Sequence, residues 1–272
     1  MSFLLFQSSF VVYLLAMAAY LVFFLTQKNT LRQTGRAIFL VAFLLHTASL
    51  VARAIEAGYT PLTSHHEAVS FFGWSLGCCY LSFRWRYAVK NLGAFVSLLV
   101  FALVLVATFS SRNMEPLPPA LQSWWLPVHA SITLFAYGFF ALSCIGSIMY
   151  LLQEREIKQK RFGLFYSRLP SLETIDKLNH HCLTIGFPLF TLGLIAGSLW
   201  AKQALGTYWQ WDPKETWSLV TWFLYAATVH QRFTVGWRGR RVAILSIVAF
   251  LSALFTLWGV SFLLEGVHVY VP

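Results

Sequence analysis

Eight stretches of this chain are apolar for about the length a helix needs to cross the hydrocarbon core of a bilayer, roughly 20 residues. They fall at about 3–26, 36–54, 67–83, 89–110, 127–152, 183–201, 215–231 and 241–263, the third being the shortest and rich in Gly and Ser. Inside a bilayer the backbone must satisfy its own hydrogen bonds, so the pattern predicts an all-α polytopic membrane protein of about eight transmembrane helices. The first stretch contains Ala16-Met17-Ala18, which resembles a signal-peptide cleavage site. It lacks a basic leading region and stays apolar to Leu25, so it reads as a span. Composition agrees: 58% of residues are hydrophobic and 11% charged, against about 25% charged in soluble domains. A soluble domain and a disordered chain are both excluded.

The links between spans differ sharply in charge. The first, third, fifth and seventh carry sixteen of the twenty basic residues, among them Lys28, Arg32, Arg36, Arg84, Arg168 and Arg232. The remainder of the chain holds Arg53, Arg112, Lys202 and Lys214. By the positive-inside rule the odd links are cytoplasmic and both termini face outward. The net charge of +10 therefore reports orientation, and no nucleic acid is needed to explain it. The chain reads as one transmembrane domain over 1–272. Its longest cytoplasmic connection, about 153–182, places Leu172, Ile175 and Leu178 at helical spacing, which predicts a short amphipathic helix at the membrane interface. Cys78, Cys79, Cys144 and Cys182 form no C-x-x-C motif and read as structural thiols.

The densest chemical feature is the outward loop at about 200–217. Trp200, Tyr208, Trp209, Trp211 and Trp217 crowd it, and Gly206 lets the backbone bend among them. An interfacial aromatic belt is the plain alternative. Belts spread over both surfaces, however, whereas these rings gather in one loop and suit a planar ligand held by stacking. Asp212-Pro213-Lys214-Glu215 fits a helix N-cap, Pro at the first helical position and Glu three residues after the cap. Asp212 is thus expected to open the seventh span first and to face a ligand second.

Of the eight histidines, His129 lies just inside the outer end of the fifth span and His268 about five residues beyond the eighth. Both flank the aromatic loop at one membrane face. Two imidazoles on opposite sides of a planar ligand are what six-coordinate haem iron takes, whereas zinc would need further ligands that no Cys cluster or His-x-x-x-His supplies. His230 lies 18 residues after Asp212, roughly 27 Å along a helix, and cannot join that pair. His46 sits mid-span, where an ionisable group is either functional or hydrogen-bonded to a neighbouring helix. His65, His66, His180 and His181 read as interfacial or structural.

The string Trp200 to Trp217, WAKQALGTYWQWDPKETW, resembles the WWD signature of haem-handling membrane proteins, and its WDPKETW form is most similar to the CcsA/ResC family of System II cytochrome c biogenesis. The System I relatives typically continue differently after the Asp. The similarity extends to Trp125-Leu126-Pro127-Val128-His129, Gly186-Phe187-Pro188, the run to His230-Gln231-Arg232, and Gly266-Val267-His268. It begins at about residue 59, with Pro61-Leu62 and Glu67, while the first two spans match mainly in hydropathy.

The resemblance implies that His129 and His268 ligate haem b at the WWD site, with Trp200, Tyr208, Trp209, Trp211, Asp212 and Trp217 around it. His230 would ligate haem at a second position within the membrane, and His46, Trp125 and Glu67 would assist. A separate CcsB-like (ResB-like) subunit is expected to complete the inner position, because no such domain is fused to this chain. The family carries haem to the outer face of a bacterial cytoplasmic or thylakoid-type membrane and presents it to the Cys-x-x-Cys-His thiols of apocytochrome c. This chain would be the haem-presenting half of a holocytochrome c synthase. No side chain is assigned as a catalytic acid or base. The competing readings are a membrane haem b subunit exchanging electrons with quinone, a non-catalytic haem-binding assembly factor, and a transporter with a thick aromatic belt.

Overall fold

The computed structural model describes residues 1–86, 89–110, 121–160 and 163–260, with the backbone alone at 85 and 86. Nine α-helices are described: α1 (Ser2–Thr26), α2 (Asn29–Ala57), α3 (His65–Arg86), α4 (Leu92–Phe109), α5 (Trp125–Lys158), α6 (Leu164–Arg168), α7 (Leu172–Leu205), α8 (Pro213–Phe233) and α9 (Arg240–Leu254). A π-helical turn, Phe255–Gly259, prolongs α9. Each of the eight expected spans is helical. Length and composition alone qualify α1, α2, α4, α5, α7 and the prolonged α9 to cross a membrane. α3 and α8 are too polar for that test, and their polar groups turn toward protein. On α3, His66, Glu67, Ser70 and Ser75 are buried, and on α8 so are Thr221, Thr228 and Arg232.

The chain divides into two compact units. The first contains α1–α4 and the segment Ser167–Pro170. Its helices form an antiparallel ring. Tyr13 of α1 meets Phe39 and His46 of α2, and Tyr20 lies against Gly35. Trp74 of α3 stacks on Phe43 of α2, and His66 near the start of α3 bonds the Ala107 carbonyl near the end of α4. Phe10 and Phe101 close the ring between α1 and α4. Left-handed residues stop the first two helices. Gln27 (φ 56°) ends α1, its side-chain amide donating to the Phe23 and Phe24 carbonyls, and Gly58 (φ 73°) ends α2.

The second unit packs α5, α7, α8 and α9, again antiparallel. α5 and α7 make its closest pair because glycines clear the contact. An added Cβ would strike Asn179 at Gly146, Phe140 at Gly186, Thr133 at Gly193 and His129 at Gly197. Small residues at such spacing allow helix backbones to approach without a hydrophobic drive. The Phe140 ring stacks 3.5 Å from Tyr225 of α8, both fully buried, with Tyr137 and Phe190 beside them. Thr221 of α8 bonds Ser252 and Thr256 at the α9 end, where the backbone widens into the π-turn.

The connection at 153–182 differs from expectation. Instead of a short interfacial helix, Leu172 to Leu205 is one helix of 34 residues, opened by the Ser171 side chain accepting from the Thr174 amide. Ile175 and Leu178 are buried. Asn179 and His180, which precede the span expected at about 183–201, lie inside this helix and meet other helices of the unit. Asn179 donates to Ser147, and His180 accepts from Arg232. Asp176 pairs with Arg232 at 2.8 Å and accepts the Gly239 amide, while Arg240 of α9 reaches Glu154 of α5. The basic links thus tie four helix ends together.

Candidate functional site

The aromatic loop spans the gap from α7 to α8, and its ends are set by local chemistry. Gly206 (φ 83°) terminates α7, its amide bonding the Lys202 carbonyl. Lys202 folds back, donating to the Gly206 carbonyl at 2.9 Å and lying 5.3 Å from the centre of the Tyr208 ring. Trp211 also has positive φ, 59°, so the chain turns sharply before α8. Asp212 then caps α8 as expected, accepting the Glu215 amide at 2.8 Å, with Pro213 in the first turn. Glu215 reaches beyond the cap to accept the Gln210 amide at 2.7 Å, which pins the loop from its far side.

The rings divide into an anchored and an open set. Trp200 is buried in the second unit, and Trp217 packs edge-on against Phe255 of the π-turn, 4.7 Å between centres. Trp211 and Tyr208 are 70% and 56% exposed, so much of each ring remains accessible, although Lys202 lies over the Tyr208 ring. Trp209 meets Trp211 edge-to-face, and its indole nitrogen is buried without a hydrogen-bond acceptor among the described residues. A buried donor of that kind costs stability unless something satisfies it.

His129 joins this end from α5. Its Nδ1 lies 2.7 Å from the Gly193 carbonyl, a bond that requires the proton on Nδ1 and so places the lone pair on Nε2. That tautomer is the one a metal ligand needs, with the ring oriented by a carbonyl behind it. The imidazole fills a notch at Gly197, where an added Cβ would lie 2.7 Å from Nδ1 and 2.8 Å from Cε1. A bond from Ser123 to Gln203 (2.7 Å) ties the start of α5 to the end of α7 beside it.

The other expected residues fall as follows. His268 lies outside the described residues. Trp125 is 41% exposed at the start of α5. His230 is exposed near the opposite end of α8, two residues before Arg232, which meets Asp176. His46 and Glu67 belong to the first unit. His46 is fully buried, its Nε2 2.9 Å from the Ser70 hydroxyl, and Glu67 pairs with Arg53 at 2.8 Å while accepting the Thr63 and Ser64 amides. His65, His66 and His181 bond Ser110, Ala107 and Lys177, which matches their structural reading. Among the described residues no group of three or more His, Cys, Asp or Glu side chains is arranged to hold a metal ion.

Two contributors escaped the sequence reading. The Gly193/Gly197 notch was visible as a G-x-x-x-G spacing. Lys214, one residue into α8, has its pKa pulled down to about 8 by burial, with the nearby Asp212 charge opposing the shift. Its neighbourhood to Asp212 was plain in sequence, its burial was not.

This arrangement defines a class: an all-helical membrane protein with a tautomer-fixed histidine and an open aromatic surface at one helix end. Residues 62–268 match the family profile described as cytochrome C assembly protein. The chain is 35% identical over 250 residues to the cytochrome c biogenesis protein CcsA of Guillardia theta, covering 85% of this chain and 83% of that one. It is 34% identical to CcsA of Trieres chinensis, covering 96% and 94%. The chain belongs to the cytochrome c assembly protein family, among its CcsA members. Its fold is similar to that of the cytochrome c haem lyase CcmF, with a TM-score of 0.70 at 18% identity over 98% of this chain. The match spans 47% of the CcmF chain, about half its length.

Proposed function

We propose that this chain is the haem-presenting subunit of a System II cytochrome c synthase. It carries haem b to the outer membrane face and offers it to the Cys-x-x-Cys-His thiols of apocytochrome c, acting with a CcsB-like partner. The observation that supports this most is the His129 imidazole, held by the Gly193 carbonyl with its lone pair on Nε2, on the helix pair whose α7 end leads into the aromatic loop. In this reading His129 and His268 bind the iron of the haem substrate, and the aromatic loop keeps the macrocycle flat. The apocytochrome histidine displaces one of them, setting the vinyl groups against the thiols. Orientation and proximity then carry most of the rate. His230 holds haem at a second position completed by the partner, which fits its exposure on α8. The charge asymmetry of the links supports an extracytoplasmic position for the aromatic loop.

The test is co-expression with a CcsB-like subunit and an apocytochrome c carrying Cys-x-x-Cys-His. Covalent haem on the cytochrome is expected, and its loss in His129→Ala and in His268→Ala. Normal maturation in those variants overturns the assignment.

A further inference from the structure

Positive charge converges at one end of the first unit, and no acidic side chain among that unit's described residues lies there. Arg32 and Arg36 lie one turn apart on α2 and share a face. Arg84 joins them from α3 through a pair of tyrosines. Arg84 lies one turn after Tyr80, whose hydroxyl is 2.9 Å from the Tyr20 hydroxyl. The Tyr20 ring in turn covers Gly35, the residue before Arg36. The Arg36 guanidinium lies within electrostatic reach of both Arg32 and Arg84. Lys90 and Arg168 border the same end, donating to the Ser167 and Leu25 carbonyls.

The two acidic side chains among this unit's described residues, Glu56 and Glu67, are both at its other end, bonded to Ser2 and Arg53. The Nε atom of Arg32 is buried with no acceptor among the described residues. Like charges gathered in a half-buried place are unfavourable unless an anion sits among them. Beside the cluster the helix faces are apolar and open. Leu21 and Val22 of α1, and Leu40 and Val41 of α2, are all exposed.

We propose that Arg32, Arg36 and Arg84 bind the headgroup phosphate of an anionic phospholipid, whose acyl chains run along the exposed faces of α1 and α2. Guanidinium forks match phosphate oxygens in geometry as well as charge. The occupant must combine an anionic head with an apolar body, and a phospholipid does. Haem, which has acid groups on an apolar ring, fits less well, because the unit's histidines (His46, His65 and His66) bond residues nearer the other end. By the charge rule this end faces the cytoplasmic leaflet, where basic sites between helices recruit anionic lipid.

The experiment is native mass spectrometry of the delipidated full chain with phosphatidylglycerol, phosphatidylcholine, glycerol 3-phosphate or haemin added. One phosphatidylglycerol is expected to stay bound under conditions that strip phosphatidylcholine. Arg32→Gln/Arg36→Gln should weaken it about 30-fold, roughly a factor of five per charge. Arg238→Gln/Arg241→Gln removes equal charge from the second unit and should leave it unchanged. Equal loss in both pairs, or displacement of the lipid by equimolar glycerol 3-phosphate or haemin, overturns the proposal. If the double variant does not fold, Arg36→Lys carries the test: it keeps the charge but not the fork, and undiminished lipid binding overturns the site.

Discussion

The imidazole of His129 donates to the Gly193 carbonyl at 2.7 Å and occupies the space where a side chain at Gly197 would stand. Position 197 therefore controls the ring without touching a ligand. Gly197→Ala should preserve helicity but push the ring from its carbonyl. We expect haem content and cytochrome maturation to fall about tenfold, the low end for losing the group that orients a metal-bound histidine. Soret absorbance of the purified protein and haem staining of the cytochrome measure both. Maturation at the parental level would show that the ring finds its place without the notch.

His230 is a different case, because its side chain is exposed in the second unit. His230→Ala should leave thermal unfolding within about 0.5 kcal/mol, as surface changes do. Haem retained by the complex with the CcsB-like partner should nevertheless drop. Added imidazole should restore part of it by entering the vacated position. An unchanged Soret band in the complex would assign His230 no part in haem binding.

The Asp176–Arg232 pair governs stability at the basic links. Burial alone would raise the Asp176 pKa, but the Arg232 hydrogen bonds and charge and the Gly239 amide outweigh it, so the net shift is downward. A carboxylate lowered on folding contributes stability that is full above its ordinary value of 3.8 and disappears as pH falls through the folded value. Detergent-solubilised protein should thus lose thermal stability below about pH 4. Asp176→Asn should flatten that limb and cost about 3 kcal/mol, since it strands the buried Arg232 charge. Thermal melts at a series of pH values report both effects.

Lys214 predicts the opposite slope. Its amine is lowered to about 8 by burial, so the folded chain binds fewer protons than the unfolded one between about 8 and the ordinary 10.5. Stability should rise with pH across that window and be flat below it. Lys214→Met should remove the slope and gain stability at pH 7. Melting temperatures of the two proteins between pH 7 and 10.5 provide the comparison.

Much of this architecture was legible in the sequence, because hydropathy and charge act over whole segments. All eight apolar stretches are helical over their described residues, bar a residue or so at their edges, and Asp212-Pro213-Lys214-Glu215 opens α8 as capping chemistry dictates. The connection expected at about 153–182, with a short amphipathic helix at Leu172, Ile175 and Leu178, is instead the opening of the long α7. Tertiary partners, Ser147 and Arg232, bond Asn179 and His180 as α7 continues through them. Of the site, the aromatic loop and His129 were visible as residue types crowded together. Which rings would be open and which buried was not, since Trp200 and Trp211 look alike in sequence and differ only in what packs on them. The Gly193 carbonyl behind His129 was invisible for the same reason, because a backbone acceptor leaves no residue type to read.

The uninterrupted course of α5 and α7 has a mechanical consequence. Each helix is 34 residues, about 51 Å, well beyond the ~30 Å hydrocarbon thickness. Glycine-lined contacts lock the two into a stiff strut, with His129 near one tip and Glu154 and Asp176 near the other. The depth of the imidazole is therefore set from the far side of the membrane, as a ruler is read from its held end. Whatever grips the strut at Glu154 and Asp176 thereby fixes how far the His129 ring stands from that end.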